Sequence, residues 1–140
     1  MLGKCNMVRR IEFSRHGDDN GSLVAIEGHK EIPFEIKRVF YIFGVKGDAV
    51  RGQHANRKSE FVLINLAGSS KVRFIDCDGN EDTVVLNSPS EGVYLSATVW
   101  KEMYDFSEDA VLLVLASEKY DPSEYIRDYN EYKKEFAQHE

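Results

Sequence analysis

The chain has 140 residues, of which 42% are hydrophobic, so it is long enough for one domain with a substantial core. Its formal net charge of -6 argues against nucleic acid as a partner, because phosphate backbones are bound by basic surfaces. The N-terminal residues lack the apolar core of a signal peptide, and no later stretch is long enough to span a bilayer, so we expect no membrane partner. Cys5 and Cys77 show no C-x-x-C spacing, so we expect reduced thiols in a soluble, cytoplasmic protein.

The first third of the chain predicts short β-strands separated by turns. Residues 8–13 alternate weakly between polar and apolar, and residues 18–21 are a turn signal before a predicted strand at 22–27. Pro33 then allows an extended entry into residues 36–43. These are rich in β-branched and aromatic side chains, which predicts another strand.

Residues 50–60 gather possible proton-transfer groups beside a cluster of cations. If this stretch is extended, His54 and Asn56 point the same way, because alternate side chains of a strand share a face. Glu60 shares that face too, unless the chain turns before it. A solvated loop with a structural histidine is the alternative, but polar groups on a hydrophobic strand register need partners or a function. We therefore predict that this stretch forms the floor of an active site.

The second half of the chain continues the run of short strands and ends in a predicted helix. The predicted strands are 61–66, 71–75, 83–86, 93–95, 100–106 and 110–116, with a hairpin turn at Asp78-Gly79. Asp121 as N-cap, a proline in the first turn and a glutamate three places on predict a helix over residues 122–137. Its aromatic side chains recur at helical spacing, which predicts packing against the strands or a partner subunit.

Many short strands with glycine and proline turns, followed by one terminal helix, predict an all-β fold of the jelly-roll kind. We expect a β-barrel over about residues 11–120 and the helix at 122–137, together forming a single domain over residues 1–140. Barrels of this kind hold their ligands in the mouth or the interior. A binding site in the centre of the fold is therefore expected.

The jelly-roll class includes the cupins, whose first sequence motif is similar to a stretch of this chain. That motif is a glycine, a His-x-His, a glutamate and a second glycine, and the chain has Gly47, His54, Asn56, Glu60 and Gly68 in that order. The second cupin motif supplies another histidine, which has no match here. Because two ligands do not make a metal site and asparagine is a poor ligand for a transition metal, we expect no metal in the site.

Further runs of the chain resemble the sugar-nucleotide 3,4-ketoisomerases, WxcM-like cupins that act without a metal on dTDP-4-keto-6-deoxyglucose. The runs are residues 21–27, 32–39, 111–117 and 125–129, within a similarity that extends from about residue 11 to residue 136. The resemblance implies that a base removes the proton at sugar C3 and that a proton returns at C4 of the resulting enediol. The ketone then moves from C4 to C3 without a redox cofactor. The resemblance also implies a homodimer, and products that enter 3-amino-3,6-dideoxy sugars of bacterial surface glycans such as O-antigen.

The resemblance assigns roles to the candidate site residues. His54 matches the first histidine of the family's R-G-x-H-A-H motif and is the expected base, since histidine exchanges protons near neutral pH. Arg38 and Arg51 match family arginines and are expected to bind the diphosphate, with a surface ion pair as the alternative for each. Tyr41 is a further candidate for proton transfer or sugar contact, although a flat strand turns it away from Arg38.

Some candidate positions depart from the family pattern. The family's second histidine is Asn56 here. As a member of the predicted catalytic set, Asn56 can hydrogen-bond a sugar oxygen, but it cannot carry a proton at neutral pH. Asn20 and Lys101 match positions that line the sugar pocket in the family, so the stereochemistry of the product at C4 is open. Trp100 either stacks on the thymine or the sugar or fills the core, and we favour the core. Glu60 completes the predicted substrate-binding set.

Two other function classes stay open. The replaced second histidine favours a non-catalytic sugar-nucleotide-binding cupin, and a related isomerase or epimerase can act on a different keto sugar. Incubation with the dTDP-keto sugar in deuterium oxide separates these classes. A binding protein shows affinity without exchange, whereas an isomerase incorporates deuterium.

Overall fold

The structure, a computed structural model, describes residues 7–76 and 78–136 and consists mainly of short β-strands. The strands are β1 (Val8–Glu12), β2 (His16–Asp18), β3 (Gly21–Leu23), β4 (Arg38–Phe43), β5 (Arg51–Asn56), β6 (Phe61–Ala67), β7 (Ser70–Ile75), β8 (Glu81–Leu86), β9 (Glu91–Leu95), β10 (Trp100–Tyr104), β11 (Val111–Ala116) and β12 (Tyr125–Ile126). A 3-10 turn at Pro122–Glu124 and the α-helix α1 (Tyr129–Phe136) complete the described elements. The predicted all-β fold with a C-terminal helix is confirmed.

Two antiparallel sheets of five strands each form the body of the domain. Their strand orders are β1-β9-β6-β11-β4 and β12-β5-β10-β7-β8, and β2 pairs with β3 in a separate hairpin. The main core consists of the buried side chains Phe61, Leu63, Val72, Leu86, Val93, Leu95, Val99, Met103, Leu112, Val114 and Ala116. Because these residues come from both large sheets, the core lies between the sheets, as in a β-sandwich or jelly roll.

A second core lies on the outer face of the first sheet. The strand predicted at residues 22–27 ends already at Leu23, and the chain then crosses this face without regular structure. Ile32 and Phe34 are buried there against Ile64 of β6. The hydrophobic residues after Leu23 therefore cover a sheet face instead of joining a sheet.

Most of the other predicted strands are confirmed to within a few residues, and the turn predicted at 18–21 joins β2 to β3. Within the stretch at 50–60, Arg51–Asn56 form strand β5, the element that the prediction for His54 and Asn56 requires. β2 was not predicted, because its three residues include Gly17 and give no hydrophobic signal.

The prediction of a helix over residues 122–137 is wrong at its N-terminal end. Asp121 does act as a cap, since its side chain accepts a hydrogen bond from the Ser123 amide, but it caps a single 3-10 turn. Tyr125 and Ile126 then pair with β5, and this pairing buries Ile126 completely. Tertiary contacts thus override the local helix signal. The predicted end at residue 137 lies outside the described residues, as do Cys5 and Cys77.

No helix within the described part of the chain is long and apolar enough to cross a membrane.

Candidate active site

A cavity of about 360 Å³ lies between the two large sheets. Strands β4, β6 and β11 of the first sheet and β5 and β10 of the second contribute to its walls, together with residues 120–127. Its described polar and charged lining side chains are Arg38, Arg51, His54, Lys101, Tyr120, Tyr125 and Arg127. None of them is a carboxylate. The cavity therefore suits an anionic ligand.

A β-bulge in β5 directs His54 into this cavity. Gly52 and Gln53 both have positive φ, at 86° and 60°, and the register with β10 shifts at this point. A side chain at position 52 would meet Lys101 O and Met103 Sδ at 3.1 Å, so the bulge requires glycine there. Beyond the bulge, His54 lies directly opposite Lys101 on β10. Bulges commonly reorient side chains next to active sites in this way.

His54 is held in the tautomer that leaves Nε2 free to accept a proton. Its Nδ1 lies 3.0 Å from the carbonyl oxygen of Gly52, and a carbonyl only accepts, so Nδ1 carries the proton. The ring also packs on Tyr125, with 4.8 Å between centroids. Burial, and then the positive charge of Lys101, lower the His54 pKa to about 3. The imidazole is therefore neutral at physiological pH.

Lys101 is a buried cation beside His54, with 4% of its surface exposed. Its Nζ lies 3.3 Å from Asn56 Oδ1 and 4.3 Å from the centre of the Phe61 ring. Burial lowers the Lys101 pKa to about 7, although the Glu124 carboxylate opposes this shift. Lys101 therefore exchanges between ammonium and amine near neutral pH.

Asn56 lies behind the cavity, between Lys101 and Glu124. Its Nδ2 is buried without a hydrogen-bond partner in the described structure. The amide is close enough to the Glu124 carboxylate to favour its charged form, but it does not meet hydrogen-bond geometry. Glu124 instead accepts hydrogen bonds from the Lys58 and Ser59 amides at 2.7 and 2.9 Å and from the Ser59 hydroxyl.

The arginines of the cavity have no carboxylate partner among the described residues. Within the described residues, none of Arg38, Arg51 and Arg127 forms an ion pair. Arg38 donates to the Tyr125 hydroxyl at 3.3 Å, and the Arg127 guanidinium lies 4.6 Å from the centre of the Tyr125 ring. The described structure therefore shows no surface ion pair at Arg38 or Arg51, the alternative considered for both.

Two predicted site residues lie outside the cavity on the outer face of the first sheet. Tyr41 is 60% exposed beside Phe43 and faces away from Arg38, as alternation along β4 requires. Glu60 accepts a hydrogen bond from the Tyr94 hydroxyl at 2.6 Å. Glu60 does not share the face of His54, because the chain bends between β5 and β6, which is the alternative that the sequence left open.

Two further candidates also lie away from the cavity lining. Trp100 is buried against Tyr129 and Tyr132, and its Nε1 donates to Glu102. It therefore fills the core, which is the alternative that we favour from the sequence. Asn20 lies in the exposed turn between β2 and β3. Neither residue contacts the cavity within this chain.

Sequence reasoning missed the contribution of residues 120–127 to the cavity. Tyr120, Tyr125 and Arg127 line it, although the predicted helix made Tyr125 part of a packing face. One signal was available, because the run 125–129 belongs to the family resemblance. Its position beside His54 depends on β12, which the sequence pattern does not predict.

The described residues of the site do not form a set of metal ligands. Over residues 7–76 and 78–136, no group of at least three histidine, cysteine, aspartate or glutamate side chains is arranged to hold one. The cationic lining also disfavours a metal cation.

Comparison with known proteins gives consistent matches. The family model for FdtA, described as WxcM-like, C-terminal, matches residues 6–137. A TDP-4-oxo-6-deoxy-alpha-D-glucose-3,4-oxoisomerase from Aneurinibacillus thermoaerophilus is 52% identical over 128 residues, which cover 91% of each protein.

Solved structures of similar proteins have the same fold. A sugar 3,4-ketoisomerase from Thermoanaerobacterium thermosaccharolyticum, solved with TDP, is 49% identical with a TM-score of 0.88, and the match covers 92% of this chain and 93% of that one. A histidine-to-asparagine mutant of that enzyme was solved with TDP-4-keto-6-deoxyglucose. A TDP-fucose-3,4-ketoisomerase from Campylobacter jejuni is 37% identical with a TM-score of 0.87, over 92% of this chain and 95% of that one.

Proposed function

We propose that this chain, which belongs to the FdtA family of WxcM-like, C-terminal proteins, is a 3,4-ketoisomerase of a TDP-linked 4-keto-6-deoxy sugar. The substrate is TDP-4-keto-6-deoxyglucose, on which the relative with 52% identity acts according to its name. The proposal rests on His54, which is neutral and lies in a central cavity. The described charged side chains that line this cavity are cations. That arrangement suits proton removal from a bound anionic sugar nucleotide.

The arginines of the cavity bind the diphosphate of the substrate. Arg38, Arg51 and Arg127 converge on one space and have no described carboxylate to neutralise them. Guanidinium groups give paired donors to phosphate oxygens, so a diphosphate supplies the missing negative charge. Tyr120 and Tyr125 offer ring faces beside these arginines for the thymine or the sugar.

His54 is the base of the reaction. The proton at C3 is acidic because the C4 carbonyl delocalises the charge left behind, so the site must supply a base and stabilise the oxyanion. Nε2 of His54 is a free basic atom in the cavity, and Lys101 lies directly opposite His54 on the paired strand. Asn56, the departure from the family motif, holds Lys101 and does not itself transfer a proton.

A homodimer is part of the proposal, and the exposed outer face of the first sheet supports it better than the helix does. The helix aromatic Tyr132 is completely buried. The outer face of β4, by contrast, exposes Val39, Tyr41 and Phe43 along the edge of the first sheet. Contiguous apolar side chains on an unpaired edge strand are typical of an interface between subunits.

The cellular role follows from the product. A ketone at C3 is the group that an aminotransferase converts to an amine, so the product enters 3-amino-3,6-dideoxy sugars for surface glycans such as O-antigen. A cytoplasmic location is the matching expectation, in line with the reduced thiols expected for Cys5 and Cys77.

A non-catalytic binding protein is the second candidate, and Asn56 at the position of the second family histidine is the observation that favours it. The deciding experiment is incubation with TDP-4-keto-6-deoxyglucose, followed by proton NMR of the sugar. An isomerase produces the 3-keto sugar at a rate proportional to protein concentration. Binding of the nucleotide sugar without any product would instead identify the binding protein.

A further inference from the structure

Lys101 is a buried cation for which the described chain provides no ion pair. Its side chain lines the cavity, directly across the strand pair from His54, and its Nζ contacts the Asn56 amide oxygen and the Phe61 ring. Burying a lysine in this way is costly, because burial disfavours the ammonium form. A lysine held in a substrate cavity under these conditions is a candidate for proton transfer.

We propose that Lys101 carries the oxygen-bound proton of the isomerisation, while His54 carries the carbon-bound proton. This inference rests on the proposed function, whose reaction moves one proton from C3 to C4 and another from the C3 hydroxyl to the C4 oxygen. Residues directly opposite on paired strands have Cβ atoms about 5 Å apart. The β5–β10 register therefore presents the two groups side by side to neighbouring atoms of one sugar.

In the first half of the reaction, His54 Nε2 takes the proton from C3, and the electron pair of that bond forms the C3–C4 double bond. The C4 carbonyl pair moves onto its oxygen, which takes a proton from the Lys101 ammonium. The result is a neutral enediol, an imidazolium and a neutral amine. In the second half, the Lys101 amine takes the proton of the C3 hydroxyl, the C3 ketone forms, and the double-bond pair takes the imidazolium proton at C4. Both residues end as they began.

The charges around Lys101 suit a group that loses and regains a proton. Burial lowers the Lys101 pKa to about 7, against the opposing charge of Glu124. Burial and then the Lys101 ammonium lower the His54 pKa, so transfer of the ammonium proton makes His54 more basic when it must hold the C3 proton. The other titratable or charged groups that face this part of the cavity are Arg38, Arg51, Tyr120, Tyr125 and Arg127.

Asn56 is the positioning residue for Lys101. Its Oδ1 lies 3.3 Å from Nζ, and the neutral amide orients the lysine without fixing it as an ammonium ion. A carboxylate at this position would favour the charged form. Asn56→Asp should therefore raise the Lys101 pKa and move the limb of the kcat profile near pH 7 to higher pH. An unchanged pH profile in Asn56→Asp would contradict the positioning role.

The test compares the wild-type protein with Lys101→Arg in deuterium oxide and follows deuterium uptake at C3 and formation of the 3-keto sugar by NMR. Arginine keeps the positive charge that stabilises the oxyanion but does not release its proton. We expect conversion to fall by about two to four orders of magnitude, while exchange at C3 through His54 falls much less. Lys101→Met, which removes both charge and proton, should lose conversion and exchange together.

Lys71→Arg is the matched control, because Lys71 is a half-exposed lysine on the neighbouring strand β7 whose Nζ forms an ion pair with Asp105 at 3.0 Å. It should leave both rates unchanged. If the wild-type protein binds the sugar nucleotide without converting it, the proposed function fails, and the role of Lys101 fails with it. If the wild type converts the sugar and Lys101→Arg keeps the same ratio of conversion to exchange, the proposed function stands and Lys101 carries no proton.

Discussion

His54 is held by its neighbours in the form that accepts a proton. The Gly52 carbonyl fixes the proton on Nδ1, and burial together with the charge of Lys101 lowers the pKa to about 3. A group with so low a pKa stays neutral across the physiological range. We therefore expect a change of turnover near pH 7 to come from Lys101, the lysine of the cavity whose pKa is lowered to about 7.

The residues of the cavity also predict that turnover needs no metal. Its charged lining groups attract anions, and within the described residues no set of three or more ligands is arranged for a cation. Prolonged incubation with a chelator should leave turnover unchanged, measured by NMR on the keto sugar. Loss of turnover that zinc or manganese restores would reverse this expectation.

At the scale of single residues, the sequence predicts the site well where a residue lies on a motif. His54, Arg38, Arg51 and Lys101 are all expected from the sequence and all line one cavity. Glu60 is expected there as well, but a bend of the chain turns it towards Tyr94. Alternation along a strand predicts facing only while the strand continues.

At the scale of elements, the segment after β11 completes the site. A 3-10 turn, the short strand β12 and the helix α1 follow one another, and they bring Tyr125 and Arg127 to the cavity wall. The sequence predicts the cap at Asp121 but extends the helix through β12. A two-residue strand has no periodicity of its own, and it exists because β5 offers backbone partners.

Glu124 anchors this segment to the link between β5 and β6. Its buried carboxylate accepts hydrogen bonds from the Lys58 amide, the Ser59 amide and the Ser59 hydroxyl. Glu124→Ala leaves these donors without their acceptor, so the free energy of unfolding in urea should fall by about 1–3 kcal/mol. Glu118→Ala is the control, because Glu118 makes a long ion pair with Lys37 at 3.9 Å and a long hydrogen bond with the Ser117 hydroxyl at 3.4 Å, and it should change stability little.

The effect of Glu124 on stability should depend on pH. Burial by itself raises the pKa of Glu124, but the donors around it outweigh burial and hold the pKa below its ordinary value. The carboxylate therefore contributes fully above its unfolded-state pKa and loses its contribution as the pH falls through the folded-state value. The stability difference between wild type and Glu124→Ala should narrow in acid, and a difference that grows in acid would contradict this sign.

At the scale of the whole molecule, the two faces of the first sheet are covered by different parts of the chain. The inner face forms the core and the cavity, while residues after Leu23 cover part of the outer face. The outer side chains of β4 stay exposed, with Phe43 at 68%. The overall fold follows from the run of strands and turns in the sequence. Which part of the outer face stays uncovered depends on the segment after Leu23, which has no periodic pattern.

This exposed face predicts a homodimer in solution. Light scattering at micromolar concentration should give twice the mass of the chain, and the pair Tyr41→Arg and Phe43→Asp should shift it to the monomer, because charge at a buried interface is unfavourable. Val85→Asp, at an exposed apolar residue of the second sheet, is the control and should leave the dimer intact. A wild-type monomer at these concentrations would contradict the proposed interface.

The role of His54 as the base is tested most directly by turnover of TDP-4-keto-6-deoxyglucose in deuterium oxide, with wild type and His54→Asn side by side. In the wild type, deuterium should enter the sugar as the ketone moves to C3. In His54→Asn, conversion should fall by about two to four orders of magnitude and exchange at C3 should fall with it, while calorimetry shows that TDP still binds through the arginines. Near-normal conversion by His54→Asn would contradict the assignment of the base.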